Sequence, residues 1–574
     1  MKKIFEPYVF LRELASRWDV LAFIVVIGLI VFLGETSRGL FAPLSQLSVT
    51  PLSLDPIHLP EYAARTTFRM MAGLALSLVF TLTYATWAAK SERAGKILVP
   101  ILDILQSVPI LGFISVTAVF FLSLAPGRVL GAEFVAIFAI FTSQAWNMAF
   151  SFYQSLRTIP TELTEAAESF RLSPWMRFWQ LEVPFGMPAL IWNMMMSMSG
   201  GWFFVVASEA VVVGHTTFAL PGVGSYIALA IAQKNLPAIG WAILTMLIVI
   251  LLYDQLLFRP LVAWADRFRV EQEPGARVPS SWALTMMRRS RLISAATLAF
   301  HSGVLWTSRA IKRRDTTPDV ATGVGKKRSF DLVWVSLIIA AVVLGLWHIV
   351  AVLLVNTPLP EALHVGGLAL ITMLRVFILI TLASVIWVPI GVWVGMHPRA
   401  AQIVQPVAQF MAAFPANLLF PLAVYGIVTW KLNADIFLSP LMILGTQWYI
   451  LFNVIAGASA IPTEMRYVAA NFKVTGWLWW RKVALPAVLP FYVTGAITAS
   501  GGSWNAAIVA ELASWGDTQV SARGLGAYIA EATTAGDFHR IVLGIGTMSL
   551  FVVIINRLFW RPLYYYAERK YRLT

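Results

Sequence analysis

The sequence predicts an all-α polytopic membrane protein made of two tandem six-helix repeats. That is about twelve spanning helices, with both repeats in the same orientation and a pseudo-two-fold axis along the membrane normal. Three observations predict it. Hydrophobic residues fill 58% of the 574 positions and charged residues only 13%, too apolar for an ordinary soluble domain. Runs such as Met70–Ala89, Ala238–Phe258, Leu332–Val355 and Ile371–Gly395 reach the ~18 apolar residues of a spanning helix. The chain also repeats itself. Arg69, Trp87, Pro100 and Pro109 recur 306 positions later as Arg375, Trp393, Pro406 and Pro415. Ile159-Pro-Thr-Glu162, Pro184, Pro188, Gly200, Trp202, Glu209, Gly222-x-Gly224-x-Tyr226 and Arg259-Pro-Leu261 recur 302 positions later, so a four-residue indel separates the two blocks.

In chain order, the first half has spans near 19–36, 67–89, 97–124, 131–152, 186–213 and 237–261. The second has spans near 331–355, 371–395, 403–428, 436–456, 488–513 and 539–562. The run Val20–Gly34 follows Lys2, Lys3, Arg12 and Arg17 and has the look of a signal peptide. Its counterpart Leu332–Val355 is long enough to span, so it is read as a retained span. An even number of spans per half gives both halves one orientation. Lys90, Arg93, Lys96, Arg157, Arg171 and Arg177 fall on the side of the N-terminus, while loops 35–66 and 210–236 opposite are less basic. The positive-inside rule then puts both termini in the cytoplasm.

The net charge of +14 is concentrated. Residues 264–330 carry thirteen basic and five acidic side chains, as expected of a cytoplasmic linker between membrane blocks, not of a nucleic-acid surface. The division is 1–263, the linker 264–330, and 331–574. Within the linker, Ser281–Ile311 reads either as an amphipathic helix lying on the anionic inner surface or as loosely ordered chain with a helical patch. Asp315–Gly325 reads as flexible. Cysteine is absent, which excludes disulfide and thiol chemistry and leaves the redox compartment undecided.

One long cytoplasmic loop follows the fourth span of each half, at 153–185 and 457–487. In the first, Pro160 starts a helix with Thr161 as its cap, and Glu162 and Glu165 lie near the positive end of its dipole. Ser173-Pro174 breaks it and starts a second short helix, which Pro184 ends. Glu165-Ala166-Ala167 followed by Pro184 resembles the "EAA" loop of permease subunits in ATP-binding-cassette importers. The resemblance covers nearly the whole chain, because the Gly-x-Gly-x-Tyr run and the fifth-span Glu recur in both halves. It is nearest to the nitrate/sulfonate/taurine/bicarbonate permeases, here with two copies fused. It implies two EAA loops seated on two ATP-binding subunits, with ATP and Mg held by those subunits and no cofactor on this chain. It also implies a periplasmic or lipid-anchored substrate-binding protein, a bacterial inner-membrane location and a small anionic substrate such as nitrate, sulfonate or bicarbonate.

The sequence departs from the motif in two places. Arg171 and Lys473 stand where its Gly falls, and the second copy, Tyr467-Val468-Ala469-Ala470, lacks the Glu, with Glu464 one turn earlier. The coupling candidates are therefore Glu162, Glu165, Ala166, Ala167, Arg171, Glu464, Ala469, Ala470 and Lys473. Either Glu165 pairs with a base on one ATPase while the second loop relies on shape with Lys473 or Arg466, or the second loop is degenerate and docks by apolar packing.

Polar residues within the spans supply pathway candidates: Arg69, Arg375, Trp202, Glu209, Trp504, Asn505 and Glu511. The arginines either attract an anion at the outer mouth, or snorkel or pair with the fifth-span Glu. Glu209 and Glu511 either line the path or bind Gly-rich loop amides and the arginines. Asn147 and Asn193 read as hydrogen-bond partners between helices. Gly222, Gly224, Gly524 and Gly526 read as an outer turn into a short helix. No Walker lysine, metal-ligand spacing or nucleophile triad occurs, so the chain is expected not to be an enzyme. The alternative is an ion-coupled secondary transporter, which needs buried acid relays and no EAA loop.

Overall fold

The computed structural model describes residues 52–268 except 108–109 and 214–215, residues 358–571, and a few isolated positions elsewhere. The expected spans near 19–36 and 331–355 and almost all of the linker lie outside the described residues.

In the first half the helices are α1 (Leu59–Lys90), α2 (Glu92–Ser107), α3 (Ile110–Leu124), α4 (Val129–Arg157), α5 (Thr161–Ser169), α6 (Pro174–Arg177), α7 (Val183–Glu209), α8 (Val223–Ala232), α9 (Leu236–Tyr253) and α10 (Arg259–Ala265). The second half has α11 (Leu359–Met396), α12 (Pro398–Ala413), α13 (Phe420–Thr429), α14 (Ala434–Phe437), α15 (Gln447–Ser459), α16 (Thr463–Asn471), α17 (Gly476–Trp479), α18 (Leu485–Ala510), α19 (Leu525–Ala535), α20 (Phe538–Ile555) and α21 (Arg561–Tyr571). Among the described residues, 6 helices are long and apolar enough to cross a membrane, or up to 9 if each bent pair is one span.

In each half one helix is the packing centre: α4 lies between α1 and α7, and α15 between α11 and α18. Small residues permit the close approach. A side chain at Gly201 would strike Met70 and Gln144, the two residues that join α1, α4 and α7.

Proline accounts for most departures from straight helices. The expected span 97–124 is two helices on either side of Pro109. The span 403–428 bends by 74° between α12 and α13, where Phe414 is extended (ψ 129°) ahead of Pro415, as the residue before a proline prefers. The span 436–456 bends by 46° in the region of Pro440 and Gly445, whereas its counterpart α4, with Phe138 and Ser143 at those places, is one helix of 29 residues.

Four helices instead absorb a proline without breaking. Wider π turns cover Phe178–Glu182, Asp254–Phe258, Trp480–Ala484 and Asn556–Trp560. Each stands one residue before an X-Pro pair: Val183-Pro184, Arg259-Pro260, Leu485-Pro486 and Arg561-Pro562. Proline donates no N–H and its ring collides with the carbonyl four residues back, and an extra residue in the turn relieves both. Pro184 therefore does not end the short helix, contrary to expectation: the chain runs through the π turn straight into α7.

The fifth spans end earlier than expected, at Glu209 and Ala510, and each continues into a β-hairpin absent from the sequence reading. Ala210–Val213 pairs antiparallel with Thr216–Ala219, and Leu512–Trp515 with Thr518–Ser521. The hairpins lie at one end of the bundle. The turns containing α5–α6 and α16–α17 lie at the other.

Candidate functional site

At the hairpin end, each half carries a buried charge cluster. The Arg69 guanidinium donates to Glu133 through Nε and Nη2, both at 2.6 Å, and through Nη1 to Glu209 at 2.7 Å and the Pro221 carbonyl at 3.0 Å. Glu209 also accepts from the Thr66 hydroxyl (2.6 Å) and the Gly224 amide (2.7 Å). The excess carboxylate charge is thus met by hydrogen bonds as well as by the single arginine. In the second half, Arg375 donates to Glu511 at 2.7 Å and to Asp435 at 3.5 Å, and Glu511 accepts from Thr372 and the amides of Gly526 and Ala527.

Glu133 and Asp435 were missed by sequence reasoning, although they share the 302 offset. The Glu-to-Asp exchange hides the match. Thr66 and Thr372, at the 306 offset, were equally findable.

The glycines after the hairpins serve this cluster. Gly222 (φ 180°) and Gly524 (φ −176°) have extended backbone that any residue adopts, so space and not conformation demands glycine. A β-carbon at either would meet the carboxylate of Glu209 or Glu511, and one at Gly224 or Gly526 would meet the Val206 or Ala507 carbonyl. The turn does lead into a short helix, α8 or α19.

At the opposite end, α5–α6 and α16–α17 form two helix–turn–helix knuckles. The position before α5 is Pro160 with no side-chain cap, so Thr161 is the first helical residue and not the cap. Ser173 does cap α6, accepting from the Met176 amide at 3.3 Å. Glu162, Glu165, Ala166 and Arg171 are exposed and Ala167 is buried; likewise Glu464, Ala470 and Lys473 are exposed and Ala469 buried. Arg171 (φ 49°) and Lys473 (φ 50°) are left-handed, a conformation that favours glycine. Phe170 and Phe472, just before them, are 80% and 78% exposed and were not singled out from sequence.

The knuckles differ in their bracing. Lys90 pairs with Glu182 at 2.8 Å, and Arg177 reaches Glu182 at 3.4 Å and Glu168 at 3.6 Å. Their counterparts are Met396, Ala484, Trp479 and Ala470, so the second knuckle replaces the whole charge network with apolar side chains.

Between the halves lies a cavity of about 980 Å³. It runs from Phe203, Phe414 and Met442 near the hairpin end to Gln154, Arg561 and Tyr565 near the knuckle end. Of the pathway candidates, Trp504 and Asn505 line it. The Asn505 Oδ1 accepts from the Ile110 amide of the other half at 2.6 Å, a cap for the first turn of α3. Asn147 and Asn193 line it too while bridging helices, Asn147 accepting from Gln106 at 2.6 Å and Asn193 donating to Ser151 at 2.8 Å.

Arg69, Arg375, Glu209, Glu511 and Trp202 are not among the residues that line this cavity; the arginines pair with the fifth-span glutamates and the glutamates bind the Gly-rich loop amides, the second of the two readings the sequence left open for them. The four charged side chains are consumed in the buried clusters, and Trp202 packs edge-on against Tyr253 at 5.6 Å. No acid lines the cavity among the described residues, whereas Arg557 and Arg561 do line it.

At the hairpin end the halves are sealed together. The Gly516 amide donates to the Ile231 carbonyl at 3.0 Å, Lys234 approaches Asp517 at 3.9 Å, and Asn417 donates to the Phe203 carbonyl at 3.0 Å. No group of three or more His, Cys, Asp or Glu that could hold a metal occurs among the described residues.

The profile of a family described as binding-protein-dependent transport system inner membrane component matches residues 71–266 and 387–572. The chain is 26% identical over 184 residues to a nitrate import permease protein of Leptolyngbya laminosa, covering 32% of this chain and 62% of that protein. It is 27% identical over 179 residues to a bicarbonate transport system permease protein of Synechococcus elongatus, covering 31% and 60%. A glycine betaine/carnitine transport permease protein of Listeria monocytogenes is 26% identical over 182 residues, covering 32% and 59%. The matched stretches thus span about three fifths of these relatives.

Proposed function

The chain belongs to the binding-protein-dependent transport system inner membrane component family, matched once in each half, and from that premise we propose that it is the membrane-spanning permease of an ATP-binding-cassette importer for a small anion. It is a fused pseudo-dimer in a bacterial inner membrane, with both termini in the cytoplasm. The observation that carries the reading is the pair of exposed knuckles at matched positions on one end of the bundle, each presenting a phenylalanine to solvent. Two ATP-binding subunits seat there and hold ATP and Mg. This chain hydrolyses nothing. A substrate-binding protein docks at the hairpin end.

The path is the cavity between the halves. With the hairpin end sealed and the cavity reaching the knuckle end, this conformation is the inward-facing one. ATP binding shifts the population to the outward-facing state because the ATPase subunits bind the knuckles of that state more tightly, and only that difference in affinity can drive the change. The buried clusters keep each hairpin and its following helix in register with their own half, so that each half moves as a body. An anion is favoured over a cation because the described cavity lining holds arginine and no carboxylate.

Mild-detergent purification from the native membrane, with mass identification of what co-elutes, tests the proposal. A stoichiometric nucleotide-binding subunit, lost when both knuckles are replaced, is the expected result. A chain that purifies alone and transports under an ion gradient overturns it in favour of a secondary carrier.

A further inference from the structure

The two halves differ in charge where the chain passes through its last π turn. In the first half Asp254 accepts from Arg259 Nε at 3.1 Å, an i,i+5 pair across the π turn. Asp254, Gln255 and Arg259 do not line the cavity. The residues 302 positions later are Asn556, Arg557 and Arg561, and all three do line it. The duplication has therefore kept one arginine, exchanged the neighbouring glutamine for a second, and removed the carboxylate charge. The π turn that carries the chain through Pro562 holds Asn556 and Arg557, and Arg561 is the first residue of α21. They lie about 30 Å along the helix from its start at Phe538, toward the knuckle end. Asn453, Thr494 and Tyr565 line the same cavity with neutral donors and acceptors.

We propose that Asn556, Arg557 and Arg561 form an oxyanion-binding subsite on the second half alone, at the inner end of the path. Two guanidinium groups and an amide are suited to a planar or tetrahedral oxyanion, which takes parallel N–H donors from arginine. A neutral amide at 556 cancels neither arginine charge, where a carboxylate there would cancel one. The subsite deepens the importer reading and rests on it. It makes the path chemically one-sided, the anion resting against the second half before release. The chemistry is shared by two sources, a transported oxyanion and a lipid phosphate, and the test separates them.

The chain has no cysteine, so one introduced thiol reports the local potential without background. Thr494→Cys lies on the same cavity, where the native hydroxyl donates to the Pro490 carbonyl of its own helix. The full chain is reconstituted in nanodiscs of phosphatidylcholine. Its rates with an anionic and a cationic methanethiosulfonate are compared, each divided by the rate of a free thiol. The anionic reagent is expected to be favoured by about fivefold. Asn556→Asp, which restores the carboxylate of the first half, and Arg557→Gln should each lower that ratio at least twofold. Asn556→Asp is nearly isosteric and keeps the test valid if an arginine variant fails to fold. Nitrate, bicarbonate or an alkanesulfonate at millimolar concentration should slow the labelling, and chloride should not.

A ratio near one, a ratio untouched by Asn556→Asp, or no protection by any of the three oxyanions overturns the subsite. A ratio that collapses when phosphatidylglycerol replaces phosphatidylcholine assigns the site to lipid headgroups and overturns it as part of the path. Each of these outcomes is independent of whether an ATPase subunit co-purifies, so the subsite and the importer reading can fail separately.

Discussion

Arg69 holds Glu133 by two hydrogen bonds of 2.6 Å in the bundle interior. Both side chains are almost fully buried; Glu133→Ala leaves Arg69 paired with Glu209 but strips the partner from its Nε and Nη2 donors in the interior. It is expected to destabilise the chain by about 1–3 kcal/mol. Arg375 and Asp435 occupy the matched places at 3.5 Å, with the Asp435 side chain 46% exposed. Solvent screens that pair, and Asp435→Ala should cost only about 0–1 kcal/mol. Thermal unfolding in detergent, followed by size-exclusion of the surviving monodisperse fraction, compares the two. Equal losses would mean that the second cluster is as dry as the first.

The glycines that face Glu209 and Glu511 lead to a second expectation. Gly222→Ala and Gly524→Ala put a methyl group where a carboxylate already sits and should abolish accumulation of folded protein in the membrane. Gly200→Ala and Gly501→Ala, in helices with nothing within 4 Å of the new carbon, should be neutral or stabilising by about 0.5–1 kcal/mol. Yield of monodisperse protein checks all four. A well-folded Gly222→Ala would show that the Glu209 carboxylate can turn elsewhere.

Residues that recur unchanged made much of this architecture legible in the sequence. Arg69/Arg375, Glu209/Glu511 and the paired glycines mark the clusters because identical residues at one offset are easy to see. Glu133/Asp435 is as central and escaped because the exchange is conservative, not identical. The hairpins escaped for a different reason. Ala210–Val213 is a run of four apolar residues that continues the apolar stretch of α7, with no alternation to announce a strand. The cavity could not be read at all. α7 and α18 are apolar all round, so nothing in their periodicity tells which face meets the other half, and Trp202 was taken for a lining residue when only Trp504 is one. Pro184 was read as a stop, and the π turn before it shows it carried through instead.

The left-handed residues of the knuckles give a third expectation. A non-glycine residue at positive φ costs on the order of 1 kcal/mol, and Arg171 and Lys473 both have exposed side chains. Arg171→Gly and Lys473→Gly should therefore each raise the melting temperature slightly, and Arg171→Val, branched at the β-carbon, should lower it. If the glycine variants melt lower, the two basic side chains make contacts that outweigh the backbone strain.

Docking gives a fourth. Phe170 and Phe472 project from matched corners of the knuckles, and an exposed aromatic on a rigid turn is the kind of anchor that fills a partner's pocket. Phe170→Ala and Phe472→Ala should each reduce coupled ATP hydrolysis at least fivefold while leaving the chain folded. Charge reversal at Glu165 should also reduce it, although an exposed ion pair contributes only about 0–1 kcal/mol. ATPase rates of the assembled complex in proteoliposomes measure all three. Unchanged turnover in Glu165→Lys would remove pairing from the docking scheme and leave shape.

The seal at the hairpin end gives the last. The second hairpin reaches the first half through its turn, where Gly516 (φ 58°) donates to the Ile231 carbonyl and Lys234 approaches Asp517. A substrate arriving from that side must pass between these elements, so the contact has to open once per cycle if the halves alternate. It is suited to opening. One backbone hydrogen bond and a 3.9 Å pair with a fully exposed aspartate bind weakly, and the stronger ionic clusters lie within each half and not across the seam. Cysteines at positions 234 and 517, in a chain that has no others, should crosslink readily in the nucleotide-free state and block transport until reduced. Under the importer proposal, trapping the ATPase subunits with ATP and vanadate should suppress the crosslink. A pair that crosslinks equally in both states, or that crosslinks without blocking transport, would mean the path opens somewhere other than between Ile231 and Gly516.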